Sequence, residues 1–293
     1  MERQNELKYG TLYVVATPIG NLEDITFRAV RILREVSLIA AEDTRHTGKL
    51  LAACGISNKL ISCHGHNEFS RTAFLVDMLK NGKDIALVSD AGTPLISDPG
   101  SRIVMAAVEE EIKVVPIPGP CAAVAGMSVS GFESDCFLFY GFLPKKHGKR
   151  EKVLTSLENE KACLVFYESP KRILFLLEHL NDVFGNRYAM VAREITKLHE
   201  EFIRGSLTEI MDQLKHREAI KGECTVFCRG VTPRGKQISE NTPDGETRSE
   251  IDAKIMEGLN IPGVKTSTLA KTIARDWGLP KNTVYNRILE LKK

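Results

Sequence analysis

Short apolar runs alternate with longer amphipathic stretches over the first 120 residues of the chain. The apolar runs predict five strands, at residues 11–16, 37–41, 59–62, 84–89 and 112–117. The stretches between them have helical spacing of apolar positions, at about residues 24–35, 44–54, 69–80 and 99–110. This alternation of strand and helix predicts an α/β fold with a mainly parallel, doubly wound sheet.

The same alternation resumes after a softer stretch at residues 125–135, which contains two glycines and three serines. Strands are predicted at residues 137–142, 162–167, 188–193 and 223–228, with helices near 149–159, 170–184 and 207–215. We therefore predict an N-terminal α/β domain (1–125) and a second α/β domain (126–230). A polar linker (231–249) and a small helical module (250–293) follow.

Composition excludes several classes of protein. Of 293 residues, 43% are hydrophobic and 27% are charged, and the net charge is only +2. No window approaches eighteen consecutive apolar residues, and the first ten residues are polar, so a membrane span and a secretory signal are not expected. The seven cysteines form no C-x-x-C pair, which argues against a zinc site or a disulfide framework. We expect a cytoplasmic protein without a metal centre.

The stretch ALVSDAGTPLISDPG, residues 86–100, carries the strongest functional signal. An apolar run ends in a Gly/Pro loop, and a helix start follows, with Asp98 expected as its cap and Pro99 in its first turn. Similar loops leave three other strands, at residues 17–21, 42–45 and 116–122. In a parallel sheet all four emerge at one edge, where open α/β folds bind ligands. A plain chain-reversing turn is the alternative for each loop alone.

The type of ligand follows from the motifs that are missing. The chain has neither G-x-x-x-x-G-K-[ST] nor a G-x-G-x-x-G after a strand, so a triphosphate or dinucleotide cradle is not expected. The loops instead offer backbone amides, carbonyls and small side chains, which suit a folded nucleoside held by the main chain.

Eight motifs occur in a fixed order: TPIGNLEDIT, AEDTR, HNE, VSDAGTPLISDPG, PIPGP, GFLP, YESPKRI and REITKLHEE. Together they resemble the tetrapyrrole-methylase superfamily over about residues 10–230, and within it the enzymes that methylate a cytidine ribose of small-subunit ribosomal RNA. The resemblance implies two α/β domains with the cofactor cleft between them. It also implies S-adenosylmethionine as methyl donor and a homodimer.

The resemblance also implies site residues. The superfamily's S-G-D-P loop corresponds to Ala91–Pro94, with Thr93 in place of Asp, and its P-G-D-P segment to Pro18–Asn21, again without the acid. Both changes fit a substrate other than a tetrapyrrole. Cys121 stands where the family has Ser, which weakens a side-chain hydrogen bond from that position. The cofactor-binding residues expected on this basis are Pro18, Gly92, Thr93, Pro94, Ile96, Cys121, Ala122, Tyr167 and Glu194.

Four residues are candidates for the chemistry. Asp43, with Arg45 beside it, is the first candidate for a base or a substrate orienter, and a helix cap is its alternative role. Asp90 could do the same or merely hydrogen-bond its own loop. Lys197 could hold a phosphate, or it could belong to a solvated strand end.

Basic loops are the candidates for RNA contact. Lys145, Lys146, Lys149 and Arg150 follow GFLP, and Arg172 follows Ser169-Pro170. Both segments could meet phosphates or be ordinary solvated surface. The tail has helix-turn-helix spacing, with Gly278 near the turn, and could dock RNA or pack on a partner subunit.

These observations predict an S-adenosylmethionine-dependent enzyme that methylates the 2′-oxygen of a cytidine in small-subunit ribosomal RNA, acting on the assembled subunit. The expected partners are this RNA and a second copy of the chain, and no membrane. Two alternatives stay open: a tetrapyrrole methylase of the same fold, and a non-catalytic RNA-binding assembly factor. The missing acids and the basic tail count against the first, and Gly92, Pro94, Gly119 and Pro120 against the second.

Overall fold

A computed structural model describes residues 9–133, 136–231, 245–259, 264, 266–277 and 281–291. The described residues up to Arg229 form one compact unit, and those from Gly230 onwards form a second. The larger unit contains two five-stranded sheets. The predicted linker falls mostly on residues 232–244, which lie outside the described residues, as does Gly278.

The first sheet has the strand order β3-β2-β4-β1-β5, and all its strand pairs are parallel. Its strands are β1 (Leu12–Val15), β2 (Leu38–Ala41), β3 (Leu60–Ser62), β4 (Ile85–Val88) and β5 (Val114–Ile117). The connecting helices are α1 (Phe27–Glu35), α2 (Thr44–Ala53), α3 (Glu68–Lys80) and α4 (Ser101–Glu109), with a short 3-10 helix at Leu22–Asp24. The predicted doubly wound sheet is confirmed.

Helices cover both faces of this sheet. Leu33 of α1 and Leu51 of α2 pack with Ile39 on one face. Leu75 of α3 and Ile103 of α4 pack on the other face. Strands β2 and β4 are buried along their whole length, as expected of central strands in a parallel sheet.

The second sheet has the order β6-β7-β10-β8-β9 and is mixed. Strands β6 (Phe137–Phe142) and β7 (Cys163–Glu168) pair in parallel, whereas β8 (Tyr188–Arg193), β9 (Glu201–Ser206) and β10 (Cys224–Cys228) join by antiparallel pairs. Helices α6 (His147–Leu157), α7 (Ile173–Phe184) and α8 (Leu207–Lys215) pack on one face of the sheet. Helix α5 (Ala122–Ser128), with Ala123, packs against Phe227 on the other face.

Two elements and one helix start differ from the sequence prediction. Strand β9 and helix α5 were not predicted, and α5 begins inside the segment that was expected to be a loop. Asp98 does not cap α4, and Pro99 is not in its first turn: the N-cap is Gly100, and no side chain caps the helix. The predicted boundary at residues 125/126 falls within α5 and remains a prediction.

In its described part, the smaller unit contains helices α9 (Gly245–Leu259), α10 (Thr266–Trp277) and α11 (Lys281–Leu291). They share a small core that includes Ile255, Ile273 and Ile288. Arg287 of α11 donates two hydrogen bonds, of 2.9 and 2.6 Å, to the carboxylate of Asp252 on α9. The predicted helical module is present, and α9 begins five residues earlier than expected. None of the described helices is long and apolar enough to cross a membrane.

Candidate active site

Loops from the carboxyl ends of the first sheet enclose, together with the second sheet, a cavity of about 380 Å³. Ile19 follows β1, Glu42 follows β2, Asp90 follows β4 and Cys121 follows β5 in its lining. The second sheet contributes the ends of β6 and β7, the start of β10 and Ile195 after β8. Its volume is typical of a small-molecule site, and its place at the carboxyl edge is the one expected for an open α/β sheet.

Main-chain contacts tie the loops of the first sheet together beside this cavity. The N–H of Thr17 donates to the carbonyl of Gly92 at 2.9 Å, and the N–H of Gly92 donates back at 3.0 Å. Gly92 has a φ of 82°, and a Cβ there would lie 3.2 Å from Cγ2 of Ile19. The hydroxyl of Thr93 donates to the carbonyl of Pro120 at 3.1 Å. Three of the four predicted loops therefore form one connected cradle.

Aromatic rings form the opposite wall. The hydroxyl oxygen of Tyr167 accepts a hydrogen bond from the N–H of Ala123 at 3.3 Å. Its ring packs edge-to-face with Phe139 and Phe142, at centroid distances of 4.9 and 5.7 Å. Burial raises the pKa of Tyr167, so its hydroxyl stays neutral. Phe142 lines the cavity and is still 58% exposed, which leaves its ring available to a ligand.

All charged side chains that line the cavity in the described structure are acidic. Five carboxylates line it, and no Lys, Arg or His does so among the described residues. Glu168 is paired with Arg172 at 3.0 Å and Glu223 with Lys197 at 3.1 Å. In the described part of the chain no ion pair involves the other three, which are Glu42, Asp90 and Asp98. Such a lining favours a cationic ligand over a phosphate.

The segment from Thr93 to Gly100 brings Asp98 into the cavity by a strained path. Leu95 and Ser97 both have a φ of 72°, a conformation that L-residues adopt at an energetic cost. Beyond Asp98, the buried carboxylate of Glu68 accepts hydrogen bonds from the N–H groups of Gly100 at 3.2 Å and of Arg102 at 2.7 Å. The loop is therefore held in place by a side chain from α3.

Burial and three nearby groups determine the ionisation of Asp98. Burial raises its pKa to about 6 and Ser89 lowers it through a hydrogen bond, while the negative charges of Glu42 and Asp90 raise it. A carboxyl group with this pKa changes its charge near neutral pH, as acid–base groups in enzymes do.

Asp43 has a different environment. Its carboxylate caps α2 by accepting the N–H of Arg45 at 2.8 Å, and it also receives two hydrogen bonds from the Arg45 guanidinium, at 3.1 and 2.6 Å. These hydrogen bonds hold the pKa of Asp43 well below its usual range. Its own N–H donates to the carboxylate of Asp90 at 3.0 Å. Neither Asp43 nor Arg45 lines the cavity.

The chain matches the family described as Tetrapyrrole (Corrin/Porphyrin) Methylases over residues 11–211. It belongs to this methylase family. A curated relative from Halalkalibacterium halodurans, named ribosomal RNA small subunit methyltransferase I, is 45% identical over 94% of this chain and 94% of its own length. The protein of the same name from Pseudomonas aeruginosa is 43% identical over 96% of this chain and 97% of its own length. The predicted methyltransferase class is thereby confirmed.

Solved structures of other methyltransferases show the same fold at low sequence identity. The methyltransferase CobJ aligns with a TM-score of 0.58 at 17% identity, covering 76% of this chain and 95% of its own. A uroporphyrin-III C-methyltransferase from Thermus thermophilus, complexed with S-adenosylhomocysteine, aligns with a TM-score of 0.54 at 16% identity, covering 74% and 96%. The predicted fold class is confirmed.

In this methylase, six of the nine residues predicted to bind the cofactor line the cavity. They are Gly92, Thr93, Ile96, Cys121, Ala122 and Tyr167. Pro18, Pro94 and Glu194 are each next to a lining residue without lining the cavity themselves. Of the four residues predicted for the chemistry, only Asp90 lines the cavity.

Lys197 and Glu194 form an ion pair with each other. The Lys197 ammonium donates to Glu194 at 2.7 Å and to Glu223 at 3.1 Å, and the hydrogen bond from Lys197 lowers the pKa of Glu194. Lys197 therefore has carboxylate partners on two sides and offers little charge to a phosphate. Lys197 does not line the cavity, and its part in the chemistry stays a prediction.

The predicted basic segment divides into two parts. Lys145, Lys146 and Lys149 are exposed and remain candidates for phosphate contact. Arg150 requires a correction: it is 1% exposed, donates to His179 Nδ1 at 2.9 Å and lies 4.3 Å from the centroid of Phe175. Its guanidinium is held in the interior between α6 and α7. Arg172 is tied to Glu168 by the ion pair given above.

Sequence reasoning missed several residues that line the cavity. Glu42 and Asp98 lie inside motifs that had been singled out, AEDTR and VSDAGTPLISDPG, yet neither was selected for the chemistry. Phe142 lies in GFLP, and its apolar ring on a strand end was a usable signal. Cys224 and Thr225 are the first residues of β10. No local pattern identifies them as lining residues, because only the pairing of β10 with β7 and β8 brings them to the cavity.

Proposed function

We propose that this methylase transfers a methyl group from S-adenosylmethionine to the 2′-oxygen of a cytidine in small-subunit ribosomal RNA, acting on the assembled subunit. The observation that carries the proposal is the acidic, aromatic-walled cavity built on the Gly92–Thr93 cradle. The relatives that bear a ribosomal RNA methyltransferase name align with nearly the whole chain and support the RNA substrate.

The residues of the cavity fit the methyl donor. S-adenosylmethionine supplies, when bound, a methyl group on a positively charged sulfonium. The carboxylates of the lining favour a positive charge, and the main-chain cradle at Gly92 and Thr93 together with Cys121 and Ala122 suits a nucleoside. Tyr167 and Ile96 supply apolar surface for its ring.

The RNA backbone has a separate, basic approach to the cavity. Lys145, Lys146 and Lys149 are exposed and follow cavity-lining Phe142 by three to seven residues. An acidic cavity repels phosphates, so the target ribose enters while its phosphates stay with these lysines. The exposed ring of Phe142 offers a stacking surface for a nucleobase.

Small subunits lacking the modification, incubated with the protein and methyl-labelled S-adenosylmethionine, test the proposal. The label is expected on the 2′-oxygen of one cytidine after nuclease digestion, with free RNA labelled much less. Label on a base, on a tetrapyrrole offered in parallel, or on neither substrate contradicts the proposal. Labelling of free RNA as fast as of subunits contradicts only the choice of the assembled particle.

A triple variant, Lys145→Ala with Lys146→Ala and Lys149→Ala, tests the RNA path. We expect weaker binding to small subunits and a salt dependence of log Kd that is shallower by up to about three charges. Affinity for S-adenosylmethionine should not change. A matched variant that removes three exposed lysines elsewhere, Lys59→Ala with Lys83→Ala and Lys113→Ala, should bind subunits like the wild type.

We also propose that the chain acts as a cytoplasmic homodimer. Met105 and Val108 of α4, Val124 of α5 and Val129 are large apolar residues that stay between 44% and 61% exposed, which is typical of surface that a partner covers. Sedimentation equilibrium should give twice the chain mass. The variant Met105→Glu with Val108→Glu should shift the mass towards the monomer if α4 belongs to the interface.

A further inference from the structure

We propose that the outer surface of helices α1 and α2 is a second docking surface for ribosomal RNA, with Phe27 as a platform on which a nucleobase stacks. This inference rests on the proposed function and adds a contact that the lysines of residues 145–149 do not make. We call the surface the α1/α2 face, and its residues are Phe27, Arg28, Arg31, Arg34, Arg45 and Lys49.

The helices on the two faces of the first sheet differ in charge. Helices α1 and α2 carry five Lys or Arg residues and a single acidic residue, Glu35. Helices α3 and α4, on the opposite face, carry three basic and three acidic residues. The basic excess therefore belongs to one face of this sheet and is not general to its helices. A surface of this sign attracts a polyanion such as RNA.

Three of the five cations are available to a phosphate. Arg31 pairs with Glu35 at 2.8 Å and Arg45 pairs with Asp43 at 2.6 Å. Within the described residues, no ion pair or side-chain hydrogen bond involves the exposed side chains of the other three, which are Arg28, Arg34 and Lys49. Lys197, by contrast, has carboxylates on two sides. The α1/α2 face thus offers cations whose charge no carboxylate offsets.

Helix geometry places these cations on one fixed surface. Arg28, Arg31 and Arg34 are spaced by three residues, so they follow one stripe of α1. Arg28 and Arg34 are separated by about 9 Å along the helix axis, which is far enough for each to contact a different phosphate of one strand. The side-chain amide of Asn58, after α2, donates to two carbonyls at the end of α1, at 2.8 and 2.9 Å. This contact holds the two helices side by side.

The ring of Phe27 indicates that the occupant is RNA. It is 97% exposed and directly precedes Arg28 at the start of α1. Proteins bind unpaired nucleotides with this combination, in which bases stack on exposed rings and phosphates contact nearby cations. The other exposed positions on this stripe of α1 are arginines, whereas α4 exposes Met105 and Val108. An apolar patch is the feature expected for a protein partner, and it lies on α4.

The α1/α2 face begins beside the cavity. Both helices start at the carboxyl edge of the first sheet, where the cavity lies. Glu42 lines the cavity and stands two positions before the first residue of α2. RNA on this face can therefore hold nucleotides near the target ribose, while the lysines of residues 145–149 hold another part of the backbone. Two separate contacts suit an assembled subunit as substrate.

The triple variant Arg28→Ala with Arg34→Ala and Lys49→Ala tests the charge of this face. We expect its Kd for unmodified small subunits, from filter binding, to rise about tenfold or more, and the dependence of log Kd on log salt to be shallower by up to about three charges. The Kd for S-adenosylmethionine should not change. The triple variant Lys59→Ala with Lys83→Ala and Lys113→Ala, at the amino edge of the same sheet, should bind subunits like the wild type. Equal Kd values for the two variants overturn the proposal.

Substitutions of Phe27 test the stacking. Phe27→Ala should raise the Kd for small subunits about fivefold or more, and Phe27→Trp should bind at least as tightly as the wild type. Phe27→Leu keeps an apolar side chain without a ring face, so it should resemble Phe27→Ala. The free energy of unfolding should be the same for all three variants, because the ring is 97% exposed. Full affinity of Phe27→Leu overturns the stacking role.

Hydroxyl-radical footprinting of the small-subunit RNA, at saturating protein, tests the identity of the partner. The wild type should protect two separable stretches of the RNA backbone. The Arg28, Arg34 and Lys49 variant should lose one of them, and the Lys145, Lys146 and Lys149 variant the other. Weaker binding with an unchanged footprint would assign the face to a ribosomal protein, and a lower mass in sedimentation would assign it to a second copy of the chain. Either result overturns the assignment to RNA.

Failure of this inference can be told apart from failure of the proposed function, because binding and footprinting require no methyl transfer. A wild-type protein that methylates small subunits but binds them no more tightly than the Arg28, Arg34 and Lys49 variant overturns only the α1/α2 face. A wild-type protein that neither binds nor methylates small subunits overturns the proposed function, and this inference with it.

Discussion

Two loops leave neighbouring strands of the first sheet at the same edge, and each carries an aspartate. The loop after β2 continues directly into α2, and its Asp43 is held by Arg45, two residues away. The loop after β4 takes twelve residues to reach α4, passes through two non-glycine positions of positive φ, and is anchored by Glu68 of α3. A residue two positions away stabilises the first loop, whereas a residue from a distant segment of the chain stabilises the second.

This difference decides what each carboxyl group can do. Hydrogen bonds from Arg45 lower the pKa of Asp43, whereas burial raises that of Asp98 to about 6. A residue type and a place at the sheet edge are therefore insufficient to predict the ionisation of a carboxyl group. Burial and the partners of the carboxylate decide whether its pKa is raised or lowered.

The largest expected effect comes from removing the anchor of the second loop. Glu68→Ala leaves the N–H groups of Gly100 and Arg102 without their acceptor in a buried setting, which should lower the free energy of unfolding by about 3 kcal/mol. Urea unfolding measures this loss. The pKa of Asp98 should also fall towards its ordinary value of 3.8 as the loop opens to solvent.

Glu68→Gln provides the matched control, because its amide oxygen can still accept a hydrogen bond. We expect a loss of only about 1 kcal/mol and a smaller change at Asp98. Equal losses for the two variants would mean that the charge of Glu68, rather than its hydrogen bonds, holds the loop.

The sequence predicted those parts of the molecule that depend on local pattern. Strands β6 and β8 and helix α8 have the predicted bounds, because their apolar spacing and flanking residues suffice to specify them. Strand β9 was missed because its polar residues Glu201, Arg204 and Ser206 interrupt the apolar pattern and only its pairing with β8 completes it. Loop convergence was predictable because parallel strands end at one edge.

The role of individual charges was less predictable. Asp98 was expected to cap α4, yet a glutamate 30 residues earlier accepts the first amides of that helix. Arg150 belongs to a basic run that resembles solvated surface, but His179 and Phe175 on the next helix enclose it. Both outcomes depend on contacts between distant segments, which a local pattern does not contain.

The second-largest effect on stability is expected at Gly100, where tight packing adds to the strain of a positive φ. Gly100 has a φ of 121°, and a Cβ there would lie 2.7 Å from Cδ2 of buried Leu87. Gly100→Ala should therefore cost roughly 2 kcal/mol of unfolding free energy and weaken binding of S-adenosylmethionine. Gly55, after α2, has a φ of 62° with open space around it, so Gly55→Ala should cost only about 1 kcal/mol. Equal losses of unfolding free energy for the two variants would show that the Leu87 side chain moves away from the new methyl group.

A third effect appears in the pH dependence of stability. The pKa of Asp98 is higher in the folded protein than in the unfolded chain, so its favourable contribution is complete below pH 4 and is lost as pH rises through 6. Because the group is only half-buried and solvent screens it, the loss amounts to about 1–2 kcal/mol. Asp98→Asn should therefore be more stable than the wild type at pH 8 and equal to it at pH 4. A variant that is less stable at both pH values would contradict the raised pKa.

The smallest effect on activity is expected for Asp43→Ala. Unlike Asp98→Asn at pH 8, this variant should be less stable than the wild type. Asp43→Ala removes the cap of α2 and the partner of Arg45, so thermal unfolding should occur at a lower temperature. The pKa of Asp43 is lowered by folding, so its stabilisation is present above its ordinary value of 3.8 and disappears as pH falls further.

Methyl transfer by Asp43→Ala should change by less than about threefold, because the carboxylate does not line the cavity. Asp43→Asn, which keeps a capping oxygen, should recover most of the stability. Abolished transfer with unchanged cofactor binding would instead return Asp43 to the chemistry and remove the distinction between the two loops.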